Sequence, residues 1–204
     1  MPLKHSEDKV WFDEATKLTE LCNEIAAHRE SLRRVVVLSH FESTLAKLAA
    51  MLRERDITVD QFSSLNSVEL CSSGPGKIWL GVARSFRATE PISNVNQSGS
   101  LEILVAEHHP LQSHDQAIID AAGKLACQVR LCFYIALDDP LMEHFGVEQI
   151  KALLERLGMD RGECISNRMI NSAIRNAQES IESKVGREVA TQSPTDWFKY
   201  NLPK

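Results

Sequence analysis

The 204-residue sequence has no long hydrophobic run. Its apolar runs, Val35 to Leu38 among them and Leu131 to Leu137 the longest, fall far short of the roughly 20 apolar residues that cross a bilayer, so no integral membrane segment is expected. The N-terminal MPLKHSEDK lacks an apolar h-region and a small-residue cleavage site, which removes a secretory reading. A basic surplus is also missing: the net charge of -5 disfavours sequence-independent binding to nucleic acid, leaving only a local basic patch open. The five cysteines, Cys22, Cys71, Cys127, Cys132 and Cys164, include no CxxC pair, and Cys127 and Cys132 sit in apolar surroundings. They read as reduced core thiols of a cytoplasmic protein.

Chemistry-bearing motifs are equally scarce. No GxxxxGK[ST] phosphate loop, GxSxG elbow or HExxH helix occurs. His108, His109 and His114 beside Glu107 invite a metal, since imidazole and carboxylate suit zinc or iron. Neighbours on a strand diverge, however, so the cluster reads as a loop at a strand end and no metal is expected. Asp138-Asp139 reads as a helix-capping or solvated acidic pair. No internal repeat is visible.

What is present is a globular composition, 43% hydrophobic and 25% charged. Residues 10 to 30 repeat apolar positions at three- and four-residue steps and predict an amphipathic helix. Continuous apolar runs predict strands at 35 to 39, 58 to 62, 77 to 83, 101 to 106 and 131 to 137. Ser39 with Glu42, and Ser113 with Gln116, have capping-box spacing and predict helix starts. Ser63 to Gly76 and Arg84 to Gly99 read as loops, the second at a strand's carboxyl end where α/β folds place function. After Asp138 the pattern predicts a short turn from Pro140 to Phe145, a helix from Val147 to Leu157 and a long helix from Ser166 to Val185. The expected fold is α/β, a parallel sheet of about five strands with flanking helices, in residues 1 to 146, with a helical extension over 147 to 204.

The order of these segments resembles a known family. LEILVAEHHPLQSHDQAIIDAAGKLACQVRLCFYIALDDPLMEHFG (101–146) is similar, without gaps, to the end of the second nucleotide-binding domain of SecA, the preprotein translocase motor. LGMDRGECISNRMINSAIRNAQESIE (157–182) resembles the start of that family's helical scaffold, and VVVLSHFESTLAKLAAMLRE (35–54) the opening of the same motor domain. The resemblance runs from about Lys9 to Glu182 and implies a RecA-like, P-loop NTPase type of fold. It also marks departures. The family's GRxGR motif, whose arginines grip ATP, is matched by Ala121 and Lys124, and a lysine replaces the bidentate guanidinium by a point charge. The segment SFRATE keeps Arg87 and Thr89 of AGRGTD but neither glycine. The resemblance does not reach the first motor domain, which carries the phosphate loop.

Residues implied to face a nucleotide are therefore Arg87, Thr89, Glu107 and Lys124, in a vestigial role. No catalytic residue and no bound cofactor is expected, ATP or ADP being the weaker alternative. The resemblance favours a non-catalytic SecA-like protein that binds a protein partner, a translocation component among the choices. The alternatives are half of a composite ATPase site completed in trans, or a nucleotide or small-ligand module. Met169, Ile170, Ala173, Ala177, Ile181 and Val185 form a stripe that must find a surface: the chain's own sheet domain, a second copy in a homodimer, or another protein.

Overall fold

The computed structural model describes residues 3–31, 33–64, 74–87, 100–143, 147, 151, 162–165 and 168–202. Seven strands run parallel: β1 (Lys4–His5), β2 (Lys9–Trp11), β3 (Arg34–Ser39), β4 (Asp60–Gln61), β5 (Ile78–Val82), β6 (Ser100–Val105) and β7 (Gln128–Ala136). Their order is β1-β7-β6-β3-β5-β4, and β2 pairs β7 further along the edge that β1 begins. The central strand β3 is buried throughout, with Val36 in register between Trp79 of β5 and Ile103 of β6. Such a strand reads as an unbroken apolar run because helices cover both of its faces.

On one face lie α1 (Glu14–Glu30) and α2 (Glu42–Glu54). Leu18, Leu21 and Ile25 of α1 and Leu48 and Leu52 of α2 bury themselves against Val35, Val37 and Leu104. On the other, α3 (Gln112–Gly123) lays Ile118, Ala121 and Ala122 on Val36, Ile103 and Phe133. Each buried Val, Leu or Ile contributes about 1.5–3 kcal/mol, so this double layer dominates stability.

The sheet exceeds the expected five strands because β1 and β2 are too short to show a period. Helix α1 starts at Glu14, not at residue 10. Asp13 caps it by accepting from the Thr16 amide at 2.7 Å, while Lys9–Trp11 pairs with Tyr134–Ala136. Neither capping box forms. Ser39 ends β3 and α2 is entered through Phe41, whereas Ser113 lies inside α3, which is entered through Leu111. The Ser39 hydroxyl is held by Glu107 and the Phe41 amide instead of by an amide of the first α2 turn.

The segment after β7 supplies α4 (Pro140–Glu143), α5 (Arg168–Glu182) and α6 (Pro194–Asn201). The expected helix at 147–157 falls outside the described residues except for Val147 and Lys151. Helix α5 buries Ile170, Ile174, Ala177 and Ile181 against Phe12, Leu137, Leu141 and Met142, so the stripe's surface is the chain itself. Ile174 takes the place expected of Ala173, since steps of 3.6 from Ile170 reach 174, 177 and 181. The unforeseen α6 has a legible start: Ser193 accepts from the Asp196 amide at 3.1 Å, and Pro194 is its first residue.

Gly81 shows how closely the β5 edge is packed. A Cβ there would lie 2.7 Å from the Phe62 ring, well inside contact distance. Gly81→Ala is expected to lower stability by about 1–3 kcal/mol through overpacking, measured as a shift of the urea midpoint at constant slope.

Candidate functional site

The chain passes from β3 to β4 and β5 on one side, then returns to β6 and β7 on the other. The carboxyl ends of β3 and β6 therefore flank a topological switch point, where open α/β sheets hold ligands. Ser39-His40-Phe41 leaves one strand there and Glu107-His108-His109 the other.

Glu107 fills the crevice from inside. One carboxylate oxygen accepts from the Ser39 hydroxyl at 2.7 Å, the His40 amide at 2.9 Å and the Phe41 amide at 3.1 Å; the other accepts from the Thr44 hydroxyl. The amides precede α2, whose first-turn N–H groups lack partners within the helix, and the Ser43 amide donates to the Gln192 carbonyl at 2.9 Å. A helix N-terminus attracts an anion, and here the chain's own carboxylate occupies that place.

Beside it, Asp115 of α3 forms a second buried centre. It accepts from His108 Nδ1 at 2.6 Å, the His109 amide at 3.0 Å and Gln178 Nε2 at 2.6 Å. His40 Nε2 lies 2.8 Å away in an ion contact without in-line hydrogen-bond geometry. The far side of His108 meets Asp8 at 3.3 Å, and its ring stacks on Phe133 with centroids 4.4 Å apart. Burial opposes the His108 charge, but Asp115 and Asp8 override it and raise the pKa to about 10. Burial likewise opposes the Asp115 charge, and His108 and His40 reverse that, holding the carboxyl well below its usual range. A third buried pair joins Lys17 of α1 to Asp139 at 2.7 Å, which gives the expected capping acid a specific partner.

His109 points the other way, towards the C-terminal segment. With His114 and Glu188 it forms the one group among the described residues with the spacing of a metal site. The donor set does not fit. His109 Nδ1 accepts from the Leu111 amide at 3.0 Å, so the neutral ring carries its proton on Nε2, which faces Glu188 at 3.3 Å. Glu188 also accepts from Trp197 Nε1 at 2.8 Å and pairs with His114 at 2.9 Å, so three donors already use its oxygens. Burial, with His40 and His114 nearby, pushes the His109 pKa down to about 2 and keeps the ring neutral.

The residues implied by the sequence to face a nucleotide are divided by the structure. Arg87 and Lys124 line an open cleft of about 490 Å³ with Arg84, His40, His114 and Ala121. Arg84 is tied to Glu42, and Arg87 Nε reaches the Arg84 carbonyl at 3.4 Å. Lys124 closes α3 as its C-cap. Glu107 lies outside this cleft, and Thr89 outside the described residues. Sequence reasoning missed Asp8, His40, Gln178 and Glu188. For Gln178 a signal existed, a polar residue between Ala177 and Ile181 on an otherwise apolar stripe; for the others none did.

The chain is similar in sequence to proteins of the SecA family. A family model described as the SecA P-loop domain matches residues 82–162. A protein translocase subunit SecA from Solidesulfovibrio magneticus is 32% identical over 143 residues, 67% of this chain and 17% of the relative. The SecA subunit of Nitratidesulfovibrio vulgaris strain Miyazaki F is 28% identical over 189 residues, 89% of this chain and 22% of the relative. A crystal structure of the C-terminal part of the Fun30 ATPase domain aligns over 82% of this chain and 54% of that one, with a TM-score of 0.43 and 13% identity. The chain spans about a fifth of the length of these SecA relatives. No helix among the described residues is long and apolar enough to cross a membrane.

Proposed function

We propose that this chain, which belongs to the SecA family, serves protein translocation without catalysis, as a module that binds a protein partner. The observation that carries the reading is the α3 wall of the cleft, lined by Ala121 and Lys124, the two residues that the resemblance matches to the family's ATP-gripping arginines. Alanine offers no donor, and lysine cannot make the planar two-point grip on a transferring phosphoryl group. Glu107 and Asp115 support the reading as well, because their oxygens are taken up by internal donors.

Purified chain is expected to hydrolyse no ATP above background and to give no binding heat with ATP or ADP in the presence of magnesium. Turnover that survives purification and disappears in Lys124→Ala overturns the proposal. In cells, depletion of the chain is expected to slow export of a reporter bearing a signal sequence.

A second reading has one observation in its favour. Arg84, Arg87 and Lys124 line the cleft together with Asp120, a cationic excess that attracts a small anion, a nucleotide included, held alone or completed by a partner bearing a phosphate loop. The same calorimetry separates the two readings: binding heat that disappears in Arg87→Ala supports the anion site.

A further inference from the structure

The carboxyl edge of the sheet is not open: residues 186–202, including α6, lie across it. Between this segment and the edge runs a cleft of about 480 Å³, with Thr44, Glu107 and Asp139 on one side and Ser193, Thr195 and Phe198 on the other. Within 186–202 only Trp197 is fully buried. The segment is closed on itself. Glu188 accepts from Trp197 Nε1, while Asn201 accepts from the Val189 amide at 2.6 Å and donates to its carbonyl at 2.9 Å. Its tie to α5 passes through exposed Gly186, where an added Cβ would meet nothing within 4 Å.

Attachment to the body combines one apolar anchor, Trp197 in the cluster with Phe41, Leu141 and Ile170 and flanked by half-buried Phe198 and Leu202, with a few polar contacts. Trp197 sits edge-on to His109 with centroids 5.6 Å apart, Glu188 faces His109 and His114, and the Gln192 carbonyl takes the Ser43 amide. We propose that residues 186–202 form a lid over the carboxyl-edge crevice, hinged at Gly186 and latched by Glu188 and Trp197. Internal closure lets the segment move as a unit, and release of a single fully buried side chain makes its opening less costly than opening of the sheet, whose central strand is buried throughout. Opening exposes the α2 N-terminus and the Glu107 crevice while leaving the sheet intact.

Hydrogen exchange on the full chain tests this. The amide of Ser43, which donates to the Gln192 carbonyl across the cleft, is expected to exchange through an opening insensitive to denaturant, at least tenfold faster than those of Val36 and Ile103. Glu188→Gln is expected to accelerate the Ser43 amide a further tenfold or so, with the β3 and β6 amides unchanged. Ser43 and sheet amides that exchange together and respond equally to denaturant in the wild type overturn the lid. Unchanged Ser43 exchange in a folded Glu188→Gln variant overturns the latch. Limited trypsin digestion offers a second readout: native cleavage at Arg187 supports the hinge, and protection equal to that of Arg34 in β3 opposes it.

Discussion

Asp115→Ala destabilises the protein by an expected 3–5 kcal/mol, a large part of the stability of a domain this size. The carboxylate is 5% exposed and gathers His108, the His109 amide and Gln178, with His40 at its edge. Its removal orphans two buried donors and leaves the buried His108 charge with Asp8 alone. Breaking a buried pair costs more than the pair contributes net, because the remaining charge stays desolvated.

The pH profile identifies the cause. His108 is raised to about 10, so its contribution is complete below the unfolded value near 6.5 and disappears as pH climbs towards 10. Asp115 is depressed, so its contribution is complete above about 4 and is lost in acid. His109 is pushed down to about 2, so between about 6.5 and 2 the unfolded chain binds a proton that the folded one refuses, and stability falls with pH there too. The wild type is expected to be most stable near pH 6.5, with an alkaline limb that flattens in Asp115→Ala. Denaturant midpoints from pH 4 to 10 check this. An Asp115→Ala variant of wild-type stability, or an unaltered alkaline limb, shows that the His108 pair is not what the carboxylate holds together.

How much of this was legible depends on how far the cause lies along the chain. Strands β3, β5, β6 and β7 each bury a local apolar run, and the runs at 35–38 and 131–137 announce them directly. The two residues of β1 and three of β2 carry no period, and they are strands only because β7 offers an edge. The same divide separates the site residues. Of Glu107 and Asp115, the family resemblance implied a nucleotide-facing role for Glu107. Their partners Thr44, His40 and Gln178 lie 63, 75 and 63 positions away, and no spacing rule reaches that far. Arg87 and Lys124, 37 positions apart in the sequence, line one cleft, while Glu107 lies outside it.

Glu107→Ala is the second large effect, and it separates a structural carboxylate from a catalytic one. Truncation leaves the His40 and Phe41 amides and the Ser39 and Thr44 hydroxyls without their shared acceptor at 5% exposure, and strips the α2 N-terminus of its charge. Each unsatisfied buried donor costs about 1–3 kcal/mol, and the hydroxyls can turn to other acceptors, so the total expected is about 3–5 kcal/mol. Glu107→Gln should cost only about 1–2 kcal/mol, since an amide oxygen keeps the two backbone donors and the amide nitrogen can donate to a reoriented Thr44 hydroxyl. A residue retained for reaction with a ligand gives the opposite pattern, with both variants folded and stable and the ligand response lost. Urea unfolding of the two variants beside the wild type, read with ATP and ADP calorimetry, distinguishes the cases. A Glu107→Ala protein as stable as the wild type sinks the structural role and returns the carboxylate to the list of groups facing a ligand.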